Sequence, residues 1–438
     1  MIIKVAKFGG SSVASAEQFK KVKSIIESDD KRRIVVVSAP GKRNSNDSKV
    51  TDLLYLLSYH VRYNVDSTFI FSQIESRYEE INKDLGLNFD IKAEIDLIKE
   101  NVAKGASEDY LVSRGEYLCA KLMAAYVGYT FVDAQDLIFF NHDGTINNEK
   151  ISLAVKEKVA KYGKIVVPGF YGVRPTGEVK LFSRGGSDIT GSIMAMGISA
   201  EEYENWTDVS GLLMADPRIV ENPMPIAEIT YDELRELSYM GASVLHEETI
   251  FPVKEQNIPI HILNTNKPLD AGTIICKTSI KSVYPITGIS GKKNFTAITI
   301  VKAIASDKLT VIRDVLNVLD KFHVTVEHIP TSIDSFSVIV ENKKIEKVLY
   351  DLIVEIKKVK GVTSVDVDGD IALVAVVGKN MALKPGISGR IFSLFGNNNI
   401  NIKTIAQGTQ EINIIVGVSN KEFESSIRAI YSGIVLGE

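Results

Sequence analysis

The chain has 438 residues, 45% hydrophobic and 24% charged, and its 51 Lys and Arg against 55 Asp and Glu leave a net charge of −4. Such a length exceeds one ordinary core and implies two or three domains, while the near-balanced charge excludes a field for wrapping nucleic acid or an anionic membrane. Two cysteines in apolar stretches and six histidines without metal-ligand spacing argue against a disulfide framework and a protein-built metal site.

The start, MIIKVAK, is broken by charge and is not expected to be a signal peptide; no later run approaches ~20 apolar residues, so a cytoplasmic chain without membrane spans is expected. Ile2–Phe8 is a short apolar strand, followed by Gly9-Gly10-Ser11-Ser12 and a helix from about Ser15 to Glu27. Arg33–Ser38 is a β-branched run of the kind buried on both faces of a parallel sheet. Thr130–Asp133 and Lys164–Pro168 repeat it, with amphipathic helical stretches at Thr51–Tyr63 and Ser113–Val127. This alternation predicts an α/β fold with a mostly parallel sheet between helix layers.

The texture changes near Pro268–Ser282. Beyond it a first small α+β unit takes strand Thr296–Val301, helix Leu309–Phe322, strand Phe336–Val340, a helix near Lys344–Lys357 and strand Val362–Val367. A second takes strand Ala372–Val377, helix Ser388–Asn397 and strands Ile400–Thr404 and Ile412–Val416, so the pair reads as an internal repeat.

Three segments bear chemistry. At Lys7-Phe8-Gly9-Gly10-Ser11-Ser12, paired glycines let backbone approach a phosphate and the lysine can neutralise a transferring phosphoryl group; a tight turn with a solvated lysine is the plain alternative. No GxxxxGK[ST] or GxGxxG motif occurs. In Ser183-Arg184-Gly185-Gly186-Ser187-Asp188, an arginine beside two glycines before a helix suits carboxylate capture, although Asp188 could equally be a helix cap. Trp206-Thr207-Asp208-Val209-Ser210-Gly211, followed by Ala215-Asp216-Pro217-Arg218, is a strand end running into a loop, either a ligand contact or an Asx-type turn. Viewed singly, Glu116 could face solvent and Thr51 could be an N-cap.

Taken in order, KFGGSSVA, VSA, SRGE, SRGGSD, WTDVSG and DPR resemble the aspartate kinase branch of the amino acid kinase family. VEHIPTSIDSFSVIV and GRIFSLFGNNNINIKTIAQGTQEINI resemble its paired, ferredoxin-like ACT domains, so the resemblance spans essentially the whole chain. It implies a kinase domain over residues 1–280 and ACT domains over 281–368 and 369–438, with the first strand of 281–368 open to assignment to 369–438. It further implies transfer of the γ-phosphoryl of ATP, carrying its own Mg2+, to the β-carboxylate of L-aspartate, the first step toward lysine, threonine and methionine.

By matching motifs, Lys7 offsets charge on the transferred group, and Gly9, Gly10 and Ser11 cradle phosphates. Ser38 and Thr51 line the aspartate pocket, Glu116 meets the substrate ammonium, Arg184 its α-carboxylate, and Ser187 adds a hydrogen bond. Asp188 orients the lysine and the metal-bound phosphates, while Thr207, Asp208 and Arg218 hold the nucleotide. ACT domains imply feedback by an amino acid, with Ala305, Lys308, Val311, Val326 and Glu327 in the effector region. The acidic Glu327 favours lysine; threonine, alone or with lysine, stays open. Self-association through ACT edges, as a dimer or more, is implied as well.

Two departures fall on the nucleotide side. Relatives often read GAKVLHP where this chain has Gly241-Ala242-Ser243-Val244-Leu245-His246-Glu247, and often carry a tyrosine where Leu213 stands. Altered nucleotide affinity is expected, with the aspartate side intact. The rival readings are a sibling kinase of glutamate, N-acetylglutamate or carbamate, and an amino-acid sensor with an inactive kinase fold; a fused homoserine dehydrogenase is not expected.

Overall fold

The computed structural model describes residues 2–183, 185–242, 245, 249–278, 284–408 and 412–437, apart from the side chains of 382 and 383. Two compact units result. The first is Met1–Leu212, Pro225–Tyr231 and Val244–Lys281; the second is Leu213–Met224, Asp232–Ser243 and Ser282–Glu438.

The first unit is built on ten strands: β1 (Lys4–Phe8), β2 (Arg32–Val37), β3 (Thr130–Phe131), β4 (Ile165–Pro168), β5 (Tyr171–Val173), β6 (Val179–Leu181), β7 (Glu202–Thr207), β8 (Glu228–Thr230), β9 (Ile260–Asn264) and β10 (Thr273–Cys276). Eight make one sheet in the order β3-β4-β2-β1-β7-β9-β10-β8, and β5 and β6 form a separate pair. Within the eight, only β9 and β10 run antiparallel. The expected parallel sheet is therefore present, and the reason is local: Ile34, Val35, Val36 and Val37 are all fully buried, so helices must cover both faces.

The covering helices include α1 (Ala16–Glu27), α2 (Val50–Arg62), α3 (Thr68–Asp84), α4 (Ile91–Ala103), α5 (Glu108–Val127), α6 (Asn148–Tyr162) and α7 (Gly186–Ile198). Phe19 and Val22 of α1, Leu54 and Leu57 of α2, Ile74 and Tyr78 of α3, Ile95 of α4 and Leu118 of α5 meet in one core with Val35 and Val37. Burial of each such side chain contributes about 1.5–3 kcal/mol, and Ala6 and Phe8 of β1 belong to the same core.

The second unit has a five-stranded antiparallel sheet, β12-β11-β13-β15-β14, from β11 (Gly288–Lys302), β12 (Ser335–Glu341), β13 (Val362–Val377), β14 (Thr404–Gln407) and β15 (Asn413–Val418). Here four expectations need correction. Val362–Val367 and Ala372–Val377 are not two strands but one of 16 residues, because β11 pairs with it from Gly288↔Val377 to Lys302↔Val362 across bulges. The strand expected at Thr296 accordingly begins at Gly288. The helix expected over Lys344–Lys357 is broken into Asn342–Ile345 and Leu349–Lys358, and the strand expected at Ile400–Thr404 lies at Thr404–Gln407. Two repeats thus share one sheet, with helices Lys308–Lys321, Leu349–Lys358, Ile387–Asn397 and Phe423–Ile430 among its others.

Candidate active site

β1 lies between β2 and β7, so the strand order reverses there, the place where open α/β sheets receive ligands at the carboxyl ends of their strands. Lys7 stands one residue from that end, in register with Val36 on one side and Asn205 on the other. Its side chain is only 7% exposed, and Nζ is ion-paired with Asp188. The same Nζ donates to Asn205 Oδ1 at 3.3 Å, and Asn205 Nδ2 donates to Asp188 Oδ1 at 3.0 Å. Lysine, aspartate and asparagine therefore close a ring. A solvated lysine is ruled out, and so is the capping role for Asp188, whose helix is capped instead by Gly185 with φ +60°.

After Phe8 the chain turns into a single 3-10 turn, Gly10–Val13, whose opening amides have no intrahelical partner by construction. Gly9 N donates to the Trp206 carbonyl at 3.0 Å, and Gly41 N to the Gly10 carbonyl at 2.8 Å. A Cβ on Gly41 would lie 2.7 Å from the Gly10 carbonyl carbon, so no side chain fits at this crossing of two loops. Arg77 of α3, 5% exposed, fastens the second loop through the Gly41 carbonyl and an ion pair with Asp47. Ser11 follows Gly10 in the turn, and Ser12 Oγ meets Thr265 Oγ1 at 2.8 Å.

Ser38 directly follows β2, its amide donating to the Phe8 carbonyl at 3.1 Å. Two residues on, Pro40 accepts from Val50 N at 3.1 Å, which draws the start of α2 and Thr51 to the same place. Thr51 is not the N-cap, a position held by Lys49, but the second residue of the helix. α5 joins them closely: a Cβ on Gly115 would sit 2.9 Å from Ala39 Cβ and 3.0 Å from Leu54 Cδ1. The next residue, Glu116, is 4% exposed, and its Oε2 is buried without a hydrogen-bond partner. Burial pushes its carboxyl up to about 8, with the backbone amide of Ala39 pulling the other way. It does not face solvent.

At the start of α7, Gly186 abuts Phe170 so tightly that a Cβ would meet its ring at 2.2 Å, and Phe170 N donates to Thr190 Oγ1 at 3.0 Å. Gly169, just beyond β4, donates to the Val37 carbonyl and lies against Ser187, whose Oγ a Cβ at 169 would approach within 2.6 Å. Lys7, Gly9, Gly10, Ser11, Ser38, Thr51, Glu116, Ser187 and Asp188 thus converge around the ends of β1, β2 and β4. Arg184 and Ser243 lie outside the described residues. Asn205, Gly41 and Gly169 were missed; a lone amide inside the strand EYENWT was the available signal for the first.

Thr207 ends β7 and donates to Asp208 Oδ1 at 3.2 Å, next to the site. Arg218 belongs to the second unit, where Asp216 accepts both its backbone amide at 2.9 Å and its guanidinium, an Asx-type turn with the side chain 87% exposed. Among the effector-region residues, Ala305 lies in the loop before helix Lys308–Lys321, and Lys308 Nζ reaches the Ser332 carbonyl at 2.6 Å. Val311 is core, 1% exposed. Val326 packs against that core, and Glu327, with its side chain 8% exposed, accepts from Tyr239 and pairs with Lys344 at 3.5 Å. A cavity of 510 Å³ opens beside them, lined by His328, Ile329, Pro330, Ile405, Gln407 and Asn413 among others. Among the described residues no helix is long and apolar enough to cross a membrane, and no group of three His, Cys, Asp or Glu is placed to hold a metal ion.

Comparison with known proteins bears on this geometry. The amino acid kinase family profile matches residues 3–264, and an ACT domain profile matches 374–433. Aspartokinase 3 of Bacillus subtilis is 34% identical, with 99% of each chain covered. The crystal structure of aspartate kinase from Clostridium acetobutylicum is 48% identical, covers 100% of both chains and superposes with a TM-score of 0.94. Two crystal structures of E. coli aspartokinase III, one in complex with aspartate and ADP and one with lysine and aspartate, share the fold at 24% identity, 99% coverage of this chain, and TM-scores of 0.75 and 0.77; they cover 100% and 99% of the E. coli chains.

Proposed function

This chain belongs to the aspartate kinases of the amino acid kinase family, and from that premise we propose that it transfers the γ-phosphoryl of ATP to the β-carboxylate of L-aspartate, giving 4-phospho-L-aspartate. The observation that supports this best is the buried Lys7 ammonium at the end of β1, flanked by the glycine turn and joined to Asp188. A carboxylate is already a nucleophile, so the protein has no proton to remove. Its task is to hold two anions in line and offset the charge that develops between them.

The residues fit that task. Lys7 and the amides of Gly10 and Ser11 that open the turn are all donors, suited to phosphate oxygens; Thr207 and Asp208 serve the nucleoside end, where Arg218 is assigned by its motif alone. The Mg2+ arrives with the nucleotide. Ser38, Thr51 and Ser187 line the acceptor pocket, Glu116 takes the ammonium of aspartate and Arg184 its α-carboxylate. The kinase part spans residues 1–280 and the ACT domains 281–368 and 369–438, with the boundary between the latter two falling inside β13 and the first strand of 281–368 assignable to either. The ACT domains sense lysine, through Ala305, Lys308, Val311, Val326 and Glu327, and join copies of the chain into at least a dimer in the cytoplasm.

An aspartyl-hydroxamate assay with ATP and magnesium, with and without lysine and threonine, tests the reading. Aspartate-dependent product, suppressed by lysine, is expected. No product with aspartate, or a preference for glutamate or carbamate, would refute it.

A further inference from the structure

We propose that Asn205 is a positioning residue for the transfer step: a buried amide that fixes Lys7 and Asp188 in one geometry and offers the lysine a second acceptor. The inference rests on the role given to Lys7 above. Asn205 is 4% exposed in the interior of β7, directly beside Lys7 in the parallel register. Its neighbours Glu204 and Trp206 point to the opposite face of the sheet, where Trp206 Nε1 donates to Glu204 Oε2 at 2.9 Å. On the Asn205 face the Tyr203 hydroxyl donates to the Asp188 backbone carbonyl at 3.0 Å, which leaves the amide to meet the Lys7 and Asp188 side chains.

Its orientation is dictated by chemistry. An ammonium only donates, so the atom 3.3 Å from Lys7 Nζ is the carbonyl Oδ1; a carboxylate only accepts, so the atom 3.0 Å from Asp188 Oδ1 is the NH2 group. A flipped amide would set donor against donor and leave two buried groups unsatisfied.

The consequence concerns how the lysine is released. A nearly buried ammonium whose sole partner is a carboxylate is held strongly, because little water screens the pair. Phosphoryl oxygens must compete for the same Nζ. With Asn205 Oδ1 at hand, Nζ can turn from Asp188 toward an incoming phosphoryl group without ever lacking an acceptor. Nδ2 meanwhile keeps Asp188 from following. Asn205 touches neither reactant and acts through its two partners.

The test uses the full chain. Asn205→Leu, which keeps the branched skeleton but has no polar atom, is expected to lower kcat about 10–100-fold while each KM moves less than about threefold. Combined with Lys7→Ala it is expected to add no further loss, since Asn205 works through the lysine. If Asn205→Leu does not yield folded protein by thermal melting, Asn205→Ser, too short to span both partners, is measured in its place with the same expectation. A kcat within about twofold of the parent, or losses that multiply in the double variant, would overturn the proposal. Lys7→Ala run alongside separates the two claims: undiminished turnover there removes the lysine's role, whereas an impaired Lys7→Ala beside an intact Asn205→Leu removes Asn205 alone.

Discussion

If Glu116 receives the ammonium of aspartate, binding must expel a proton. The carboxyl is buried, with Oε2 unpartnered, and burial pushes it from the ordinary glutamate value of 4.5 up to about 8. At pH 7 it is therefore about nine-tenths protonated, while the same group in an unfolded chain is ionised. Because the folded value is the higher one, the group's stabilising contribution is complete below 4.5 and lost as pH rises through 8; by pH 7 the loss amounts to about 3 kcal/mol. An ammonium placed beside the carboxyl favours its charged form. Aspartate should then release about 0.9 proton on binding at pH 7 and close to none at pH 9, with apparent affinity strengthening up to about tenfold between those limits. Calorimetric titration in buffers of different ionisation enthalpy counts the protons. Glu116→Gln should abolish the release, weaken aspartate binding and flatten the fall of stability between pH 4.5 and 8. Equal proton counts for the parent and Glu116→Gln would refute the assignment.

Other outcomes follow from charge and packing. Arg184→Ala is expected to raise the KM for aspartate more than about tenfold and that for ATP far less; equal effects would contradict its place on the acceptor side. Glu327→Gln should raise the lysine concentration for half-inhibition by about tenfold or more, as loss of a charged hydrogen-bond partner does, and an unchanged inhibition curve would take Glu327 out of the effector site. Gly41→Ala forces a methyl against the Gly10 backbone at 2.7 Å; a melting temperature equal to the parent's would show that the two loops part easily, since overpacking of this kind costs about 1–3 kcal/mol.

The sheet was legible because its strands are buried on both faces, and RIVVV can hardly be anything else in that setting. The helices at Thr68–Asp84 and Ile91–Ala103 were not singled out, since their charged outer faces dilute the apolar stripe. Asp368-Gly369-Asp370 breaks the two expected strands Val362–Val367 and Ala372–Val377 by its Asp and Gly content, yet the chain stays extended there because β11 pairs on both sides of it, through Ala297↔Asp368 and Phe295↔Ile371, across a bulge. At the site, motif residues could be named individually, but their partners could not. That Lys7 meets Asn205 is a fact of register between strands separated by almost 200 positions, and that Glu116 is sealed from water depends on Gly115 allowing α5 to touch Ala39. Neither is local, so neither leaves a local signature.

The two halves of the pocket solve one problem in opposite ways. On the phosphate side a buried cation is balanced by a neighbouring carboxylate, Lys7 by Asp188; on the acceptor side a buried carboxyl is balanced by its own proton at Glu116. Left unbalanced, either charge would cost several kcal/mol in so dry a place. Each substrate supplies what displaces the internal balance. In the proposed roles, phosphoryl oxygens would compete with Asp188 for the lysine, and the ammonium of aspartate would replace the proton of Glu116. On that proposal, binding would expose the charges that transfer needs only when both reactants are present. It follows that dicarboxylates lacking an amine, such as succinate, should bind without proton release, leaving Glu116 protonated, and more weakly than aspartate, because no ammonium offsets their two negative charges.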